Sequence, residues 1–153
     1  QIVGLVNPNI WIEAWTLTAE TQRRIRAFES KCYRRMLRVS YTEHRTNDEI
    51  LDEIVARAGP QEPLLTTVKR RKLAWFGHHT RHDSLSKTIL QGTVEGQRRR
   101  GRQKKMWIDN VKDWTEMSLP KLLEKANDRQ AWRKTVASAS SKSPRRPSGH
   151  GIE

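Results

Sequence analysis

Apolar residues recur every three or four positions along most of this sequence, and this spacing predicts α-helices rather than strands. The clearest helix begins at a Thr-x-x-Glu capping box, residues 46–49, and ends before Gly59 and Pro60. A capping box satisfies backbone N–H groups that the first turn of a helix cannot pair internally, and proline cannot continue a helix. Local chemistry therefore places both ends of this helix.

The same spacing predicts further helices before and after this one. A helix from Thr18 carries the apolar stripe Ile25, Phe28, Cys32 and Met36. A third helix runs from about Pro63 to Phe76, with Gly77 as its expected end. Three later helices contain Trp107 to Trp114, Leu119 to Ala126, and Asp128 to Val136. The predicted fold class is mainly α, a small bundle of five or six short helices.

Composition divides the chain into three parts. Residues 1–14 are predicted to be a ragged N-terminal remnant, and residues 15–137 a basic helical domain. Residues 138–153 are rich in Ser, Pro, Gly and Arg, so a disordered C-terminal tail is predicted. Inside the domain, Thr88 to Gly101 holds three glycines and several β-branched residues, which indicates an irregular connector that carries much of the charge.

The chain is strongly basic, with a net charge of +13 that lies mostly in residues 69–105. Clustered Lys and Arg gain free energy by displacing condensed counterions from phosphates, so we expect a polyanionic partner. Nucleic acid is the first expectation and an anionic membrane surface the second.

The expected compartment follows from cysteine content and hydropathy. Cys32 is the only cysteine, which excludes an internal disulfide and favours a reducing compartment. Neither a secretory signal peptide nor an apolar run of membrane-spanning length is visible. We therefore expect an intracellular protein of the nucleus, the cytoplasm or both, with no membrane partner.

Two basic runs are the candidate phosphate contacts. The principal one contains Arg98, Arg99, Arg100, Arg102, Lys104 and Lys105, and the second contains Lys69, Arg70, Arg71 and Lys72. Between them lie His78 and Arg81. Gly101 would let the first run turn, and a helix beginning near Gln103 would add free amide donors. Arginine predominates, which suits forked hydrogen bonding to phosphate, although a solvated face or a nuclear-import signal would show the same composition.

Other chemistry has weaker support in the sequence. His78 and His82 are one helical turn apart with Asp83 nearby, but a zinc site needs three or four converging ligands, so we expect no metal and no cofactor. No phosphate loop or nucleophile elbow occurs, and the acidic residues fit helix starts and exposed faces. The tryptophans at 75, 107, 114 and 132 sit among apolar neighbours, so core packing is favoured over base stacking.

Four segments together resemble a known family. They are EAWTLTAETQRRIRAFESKCYRRML, TVKRRKLAWFGHHTRHD, KTILQGTVEGQRRRGRQKKMWIDNVKDW and ANDRQAWRKTV. In this order, from Glu13 to Val136, they are similar to the C-terminal segment of LINE-type, RTE-like non-LTR retrotransposon endonuclease and reverse transcriptase polyproteins. The positions that match are Trp15, Lys69 to Lys72, Trp75, Gly77, His78, Arg81, Asp83, Gly92, Gly96, Arg98 to Lys105, Trp107, Asp128, Arg129, Trp132 and Arg133. His79 and His82 fall outside the pattern, as does the NPNIWIEAW start.

The resemblance implies a segment downstream of a polymerase domain, lying against template RNA or target DNA. The paired aspartates of the family's polymerase site are absent from this sequence, so we expect no enzymatic activity. The predicted function is a noncatalytic accessory segment that binds RNA or DNA through backbone phosphates and accompanies the upstream polymerase domain. The alternatives are a retrotransposon-derived remnant, with protein contacts or with no retained function, and residual enzymatic activity.

Overall fold

A computed structural model describes residues 15–82, 87–88, 101 and 104–141. The described residues form six α-helices and a short 3-10 turn at Tyr41–Glu43, with no strand among them. The helices are α1 (Ala19–Met36), α2 (Asn47–Ala58), α3 (Leu64–Arg81), α4 (Trp107–Thr115), α5 (Leu119–Asn127) and α6 (Arg129–Ser141). The predicted mainly α fold is confirmed. The predicted remnant, residues 1–14, and most of the predicted connector lie outside the described residues.

The capping box of α2 forms as the sequence predicts. The Thr46 hydroxyl accepts the Glu49 N–H at 3.3 Å, and the Glu49 carboxylate accepts the Thr46 N–H at 3.0 Å. At the other end Gly59 follows with φ of 80°, a value that favours glycine. Hydrogen bonds between near neighbours therefore set the length of α2.

The core forms around α3, which packs against α1, α5 and α6. Its fully buried side chains include Leu73, Phe76, Val111 and Leu122. Of the tryptophans predicted to be core anchors, Trp114 and Trp132 are buried, while Trp75 and Trp107 are half-buried and meet edge to face with ring centroids 5.2 Å apart.

The prediction that Gly77 ends the third helix was wrong. Helix α3 continues to Arg81, and Gly77 lies inside it because Trp132 of α6 packs directly on its backbone. A Cβ atom at residue 77 would stand 2.1 Å from the Trp132 Nε1 atom. The glycine is there for close approach of two helices rather than for chain reversal.

The C-terminal helix is longer than predicted. Helix α6 extends to Ser141, so the predicted tail boundary at residue 138 is corrected for residues 138–141. Ala139 and Ser140 are buried, and Ala139 packs in the hydrophobic core. The remaining residues of the predicted tail, 142–153, lie outside the described residues.

Helix α1 is the most solvent-exposed of the six. None of its residues is fully buried, and Phe28 and Met36 from the predicted apolar stripe are 60% and 49% exposed. Ile25 packs against the core. The helical spacing was therefore read correctly, but only part of the stripe faces the core.

Residues 15–17 are fixed to the bundle by two buried polar side chains. The Asn110 side-chain amide donates to the Leu17 carbonyl and accepts the Leu17 N–H, both at 2.7 Å. The Lys72 ammonium donates to the Trp15 carbonyl. These contacts pair backbone groups of a non-helical segment whose Leu17 side chain is buried.

Candidate nucleic-acid interface

The second predicted basic run, Lys69 to Lys72, is divided between two faces of α3. Lys69 and Lys72 are buried, at 3% and 0% exposure, whereas Arg70 and Arg71 are exposed. Successive residues of an α-helix point about 100° apart, so four consecutive cations cannot face one partner. Only Arg70 and Arg71 of this run reach the surface.

Lys72 serves the core rather than a phosphate. Its ammonium lies over the Trp107 ring, 4.4 Å from the centroid, and donates to the Trp15 carbonyl. Burial lowers the pKa of Lys72 to about 7. Lys69 lies over the Trp114 ring at 5.7 Å, and its pKa is lowered by burial and then by the charge of Arg26. The structure thus corrects the prediction that Lys69 and Lys72 contact phosphate.

Four arginines from two helices line one cleft on the opposite side of α3. Arg70 and Arg81 come from α3, and Arg129 and Arg133 come from α6. The Arg81 guanidinium at the end of α3 donates to the Ala126 carbonyl near the end of α5 at 2.8 Å, and α6 begins three residues later at Arg129. We call this feature the arginine cleft, and its volume is about 360 Å³.

The four guanidinium groups are held differently. Arg70 pairs with Glu62 at 2.8 Å, and Arg81 is fixed by the carbonyl at the end of α5. Arg129 and Arg133 are exposed, and within the described part of the chain neither forms an ion pair or a side-chain hydrogen bond. Two cations are therefore positioned in advance, and two keep their donors available for a ligand.

The cleft has an apolar floor between these charges. Ala74, Val136 and Ala137 line it together with Trp132. Trp132 is only 3% exposed, donates its indole N–H to the Leu73 carbonyl at 2.9 Å, and packs against Phe76. The floor is therefore apolar, but the tryptophan ring is not open for stacking.

The two remaining α3 candidates lie near the cleft without lining it. Arg71 and His78 are both exposed, and the His78 ring lies 4.6 Å from that of His82, centroid to centroid. Among residues 15–82, 87–88, 101 and 104–141, no group of three His, Cys, Asp or Glu side chains converges to hold a metal ion. Asp83, the third member of the weighed metal site, lies outside the described residues.

The principal predicted run is described only at its C-terminal end. Arg98, Arg99, Arg100 and Arg102 lie outside the described residues, and their role stays a prediction. Gly101 has φ of 131°, which favours glycine and fits the expected turn. Lys104 is exposed, and Lys105 pairs with Asp113 at 2.6 Å.

The amide donors expected at the start of the next helix are already occupied in part. Helix α4 begins at Trp107 rather than near Gln103, and the Asp109 carboxylate accepts the Met106 N–H at 2.8 Å. A carboxylate in the first turn takes the place that a phosphate would have taken. The predicted contribution of this helix start is therefore corrected.

Sequence reasoning left Arg129 and Arg133 out of the candidate site. Their spacing of four residues places both on one side of α6, and this pattern was readable from the sequence. Its meaning depends on α6 packing beside Arg70 and Arg81, which are 48 to 63 residues earlier in the sequence. Lys69 and Lys72 follow Leu65 and Val68 by four positions each, which places them on the apolar side of α3, but their burial depends on residues that are distant in sequence.

Comparisons with known proteins agree with a mobile-element origin. The fold and the cleft define a small helical domain with an arginine-lined surface. None of the described helices is long and apolar enough to cross a membrane. The chain is similar to a transposon-derived protein of Caenorhabditis elegans, with 29% identity over 103 residues. That alignment covers 65% of this chain and 37% of the relative, so the chain matches little more than a third of that protein. No family model and no solved structure matches the chain. The similarity indicates a transposon origin.

Proposed function

We propose that this chain is a noncatalytic nucleic-acid-binding segment of a LINE-type, RTE-like retrotransposon reverse transcriptase. It binds template RNA or target DNA through backbone phosphates and works beside the polymerase domain of a longer polyprotein. The observation that carries the proposal is the arginine cleft, in which α3 and α6 bring four guanidinium groups to one surface. A guanidinium group can form two parallel hydrogen bonds with phosphate oxygens. A charged face that contacts only water does not require such groups to be gathered on one surface.

Other observations support the same function. The net charge of +13 favours any polyanion, and the similarity to a transposon-derived protein agrees with the resemblance of the sequence segments. The cluster from Arg98 to Lys105 is proposed as a second contact, with Lys104 exposed at its described end. Contacts of this kind position a nucleic acid rather than read its sequence.

The test compares two variants with equal loss of charge. The first replaces Arg129 and Arg133 of the cleft by alanine, and the second replaces Lys31 and Arg35 on exposed α1 by alanine. Affinity for RNA and DNA of unrelated sequence is measured by fluorescence anisotropy across a salt series. Loss of two phosphate contacts should flatten the slope of log K against log salt by about 1.4 to 1.8. We expect that change for the cleft variant and a much smaller one for the α1 variant.

Three results would count against the proposal. Absence of binding to any RNA or DNA at low salt would favour the remnant interpretation. Equal effects of the cleft and α1 variants would mean that charge acts without a defined site. Primer extension in the presence of Mg²⁺ by a clean preparation would contradict a noncatalytic role. A further variant, with Arg98, Arg99, Arg100 and Arg102 changed to alanine, tests the second contact in the same assay.

A further inference from the structure

The arginine cleft contains more than phosphate binding needs. Phosphate contacts require cations alone, and yet Ala74, Val136 and Ala137 form an apolar floor between the arginines, in a volume of about 360 Å³. A duplex keeps the faces of its bases stacked inside, so it offers no free base face to such a floor. An unpaired nucleotide has a free base that can fill it.

The arginines can also supply the stacking surface that this base would need. Trp132 is the aromatic residue of the cleft, and its ring is buried. Bases stack on guanidinium planes as well as on aromatic rings. Arg129 and Arg133 are exposed and are one helical turn apart, so their planes can lie over the floor. Arg70 and Arg81 are eleven residues apart on α3, or about 16 Å, which places them near opposite ends of the cleft.

We propose that the arginine cleft binds one unpaired nucleotide of single-stranded RNA or DNA. The base lies on the floor of Ala74, Val136 and Ala137 beneath the guanidinium plane of Arg133. Phosphates farther along the strand on each side contact Arg70 and Arg81, whose separation of about 16 Å exceeds that of adjacent phosphates. This inference rests on the proposed function, because it names the form of nucleic acid that the same cleft takes. It further implies that the domain prefers unpaired segments to continuous duplex.

The first experiment separates the base from the phosphates. Anisotropy is measured at physiological salt with three labelled probes of equal length: a single strand, a fully abasic strand with the same phosphates, and a blunt duplex. We expect the single strand to bind on the order of tenfold more tightly than the abasic strand, because a stacked base adds affinity that phosphates do not. The duplex should also bind more weakly than the single strand.

Two variants locate the base in the cleft. Arg133→Lys keeps the charge and removes the planar group, so it should weaken binding of the base-bearing strand and leave abasic binding within about twofold. Ala137→Leu fills the floor without removing a cation and should have the same effect. The matched controls are Arg35→Lys on α1 and Ala56→Leu on α2, both exposed helical positions that do not line the cleft. Circular dichroism checks that every variant keeps its helix content.

The outcomes distinguish this inference from the proposed function. Equal binding of the base-bearing and abasic strands, or tighter binding of the duplex, overturns the unpaired-nucleotide proposal and leaves phosphate binding in place. A similar loss of base-bearing and abasic binding in Arg133→Lys also overturns it, because Arg133 would then be a phosphate contact only. Failure of all three probes to bind overturns the proposed function as well.

Discussion

Replacing Gly77 by alanine sets the helix propensity of α3 against the packing of α3 on α6. In an exposed helix this change would stabilise the protein by about 1 kcal/mol, because alanine is the better helix former. In this structure the new Cβ would stand 2.1 Å from the Trp132 Nε1 atom and 2.2 Å from Cδ1, far inside van der Waals contact. The indole or the helix must therefore move.

The cost of that movement can be worked out from the contacts that it breaks. Overpacking a close-packed site costs about 1 to 3 kcal/mol. Displacing the indole also breaks its 2.9 Å hydrogen bond to the Leu73 carbonyl, and a buried polar group left without a partner costs about 1 to 3 kcal/mol. After the gain in propensity is subtracted, Gly77→Ala should lower the free energy of unfolding by about 1 to 5 kcal/mol. The melting temperature should fall by on the order of 10 °C.

A double-mutant cycle tests whether Trp132 causes the loss. Urea unfolding is followed by circular dichroism for wild type, Gly77→Ala, Trp132→Leu and the double variant. In the Trp132→Leu background the clash is removed, so Gly77→Ala should become neutral or slightly stabilising. Gly59→Ala is the control. The φ of 80° at Gly59 makes alanine unfavourable there even though the surrounding space is open. The effect of this substitution should not depend on residue 132. A Gly77→Ala variant as stable as wild type would refute this packing argument.

Three further predictions concern single side chains. Asn110→Ala should lower the free energy of unfolding, measured by urea titration, by about 2 to 4 kcal/mol. The reason is that the substitution leaves the buried N–H and carbonyl of Leu17 unpaired. A loss below about 1 kcal/mol would contradict this account. The pKa of Lys72 in the folded state is about 7, below its ordinary value of 10.5. Between these two pH values the unfolded chain binds more protons than the folded chain, so the free energy of unfolding should rise from pH 7 to pH 10. Lys72→Met should therefore show a smaller rise in stability between pH 7 and pH 10 by thermal unfolding. An unchanged pH profile would show that Lys72 is not the source of the rise. Thr46→Ala should cost about 1 kcal/mol in urea unfolding through loss of the cap, and no loss would mean that the capping box is not stabilising.

The two candidate phosphate contacts are known from different observations. The charge cluster from Arg98 to Arg102 remains known from sequence alone, whereas the arginine cleft is known from the packing of α3 and α6. Both contain mainly arginine, and the variants above separate their contributions to binding. If both contribute, the domain has two phosphate contacts, and the cleft adds the apolar floor on which the unpaired-nucleotide proposal rests.

The sequence by itself determined the helical class of the protein and the ends of α2. Helical periodicity and capping act between residues three or four positions apart, so their effects can be read without knowledge of the rest of the fold. The Thr46 capping box and Gly59 are examples, and both appear where the sequence places them. The core roles of Trp114 and Trp132 follow from the same short-range pattern.

Only the tertiary structure decided which charges are available and what Gly77 does. Lys69 and Lys72 are buried because tryptophans of α4 and the carbonyl of Trp15 cover them, and those groups are distant in sequence. Gly77 reads locally as a helix end, but the indole that approaches it belongs to α6. The arginine cleft likewise exists only where α3 meets α6. Side-chain burial depends on contacts between distant segments, and a pattern of local spacing does not contain them.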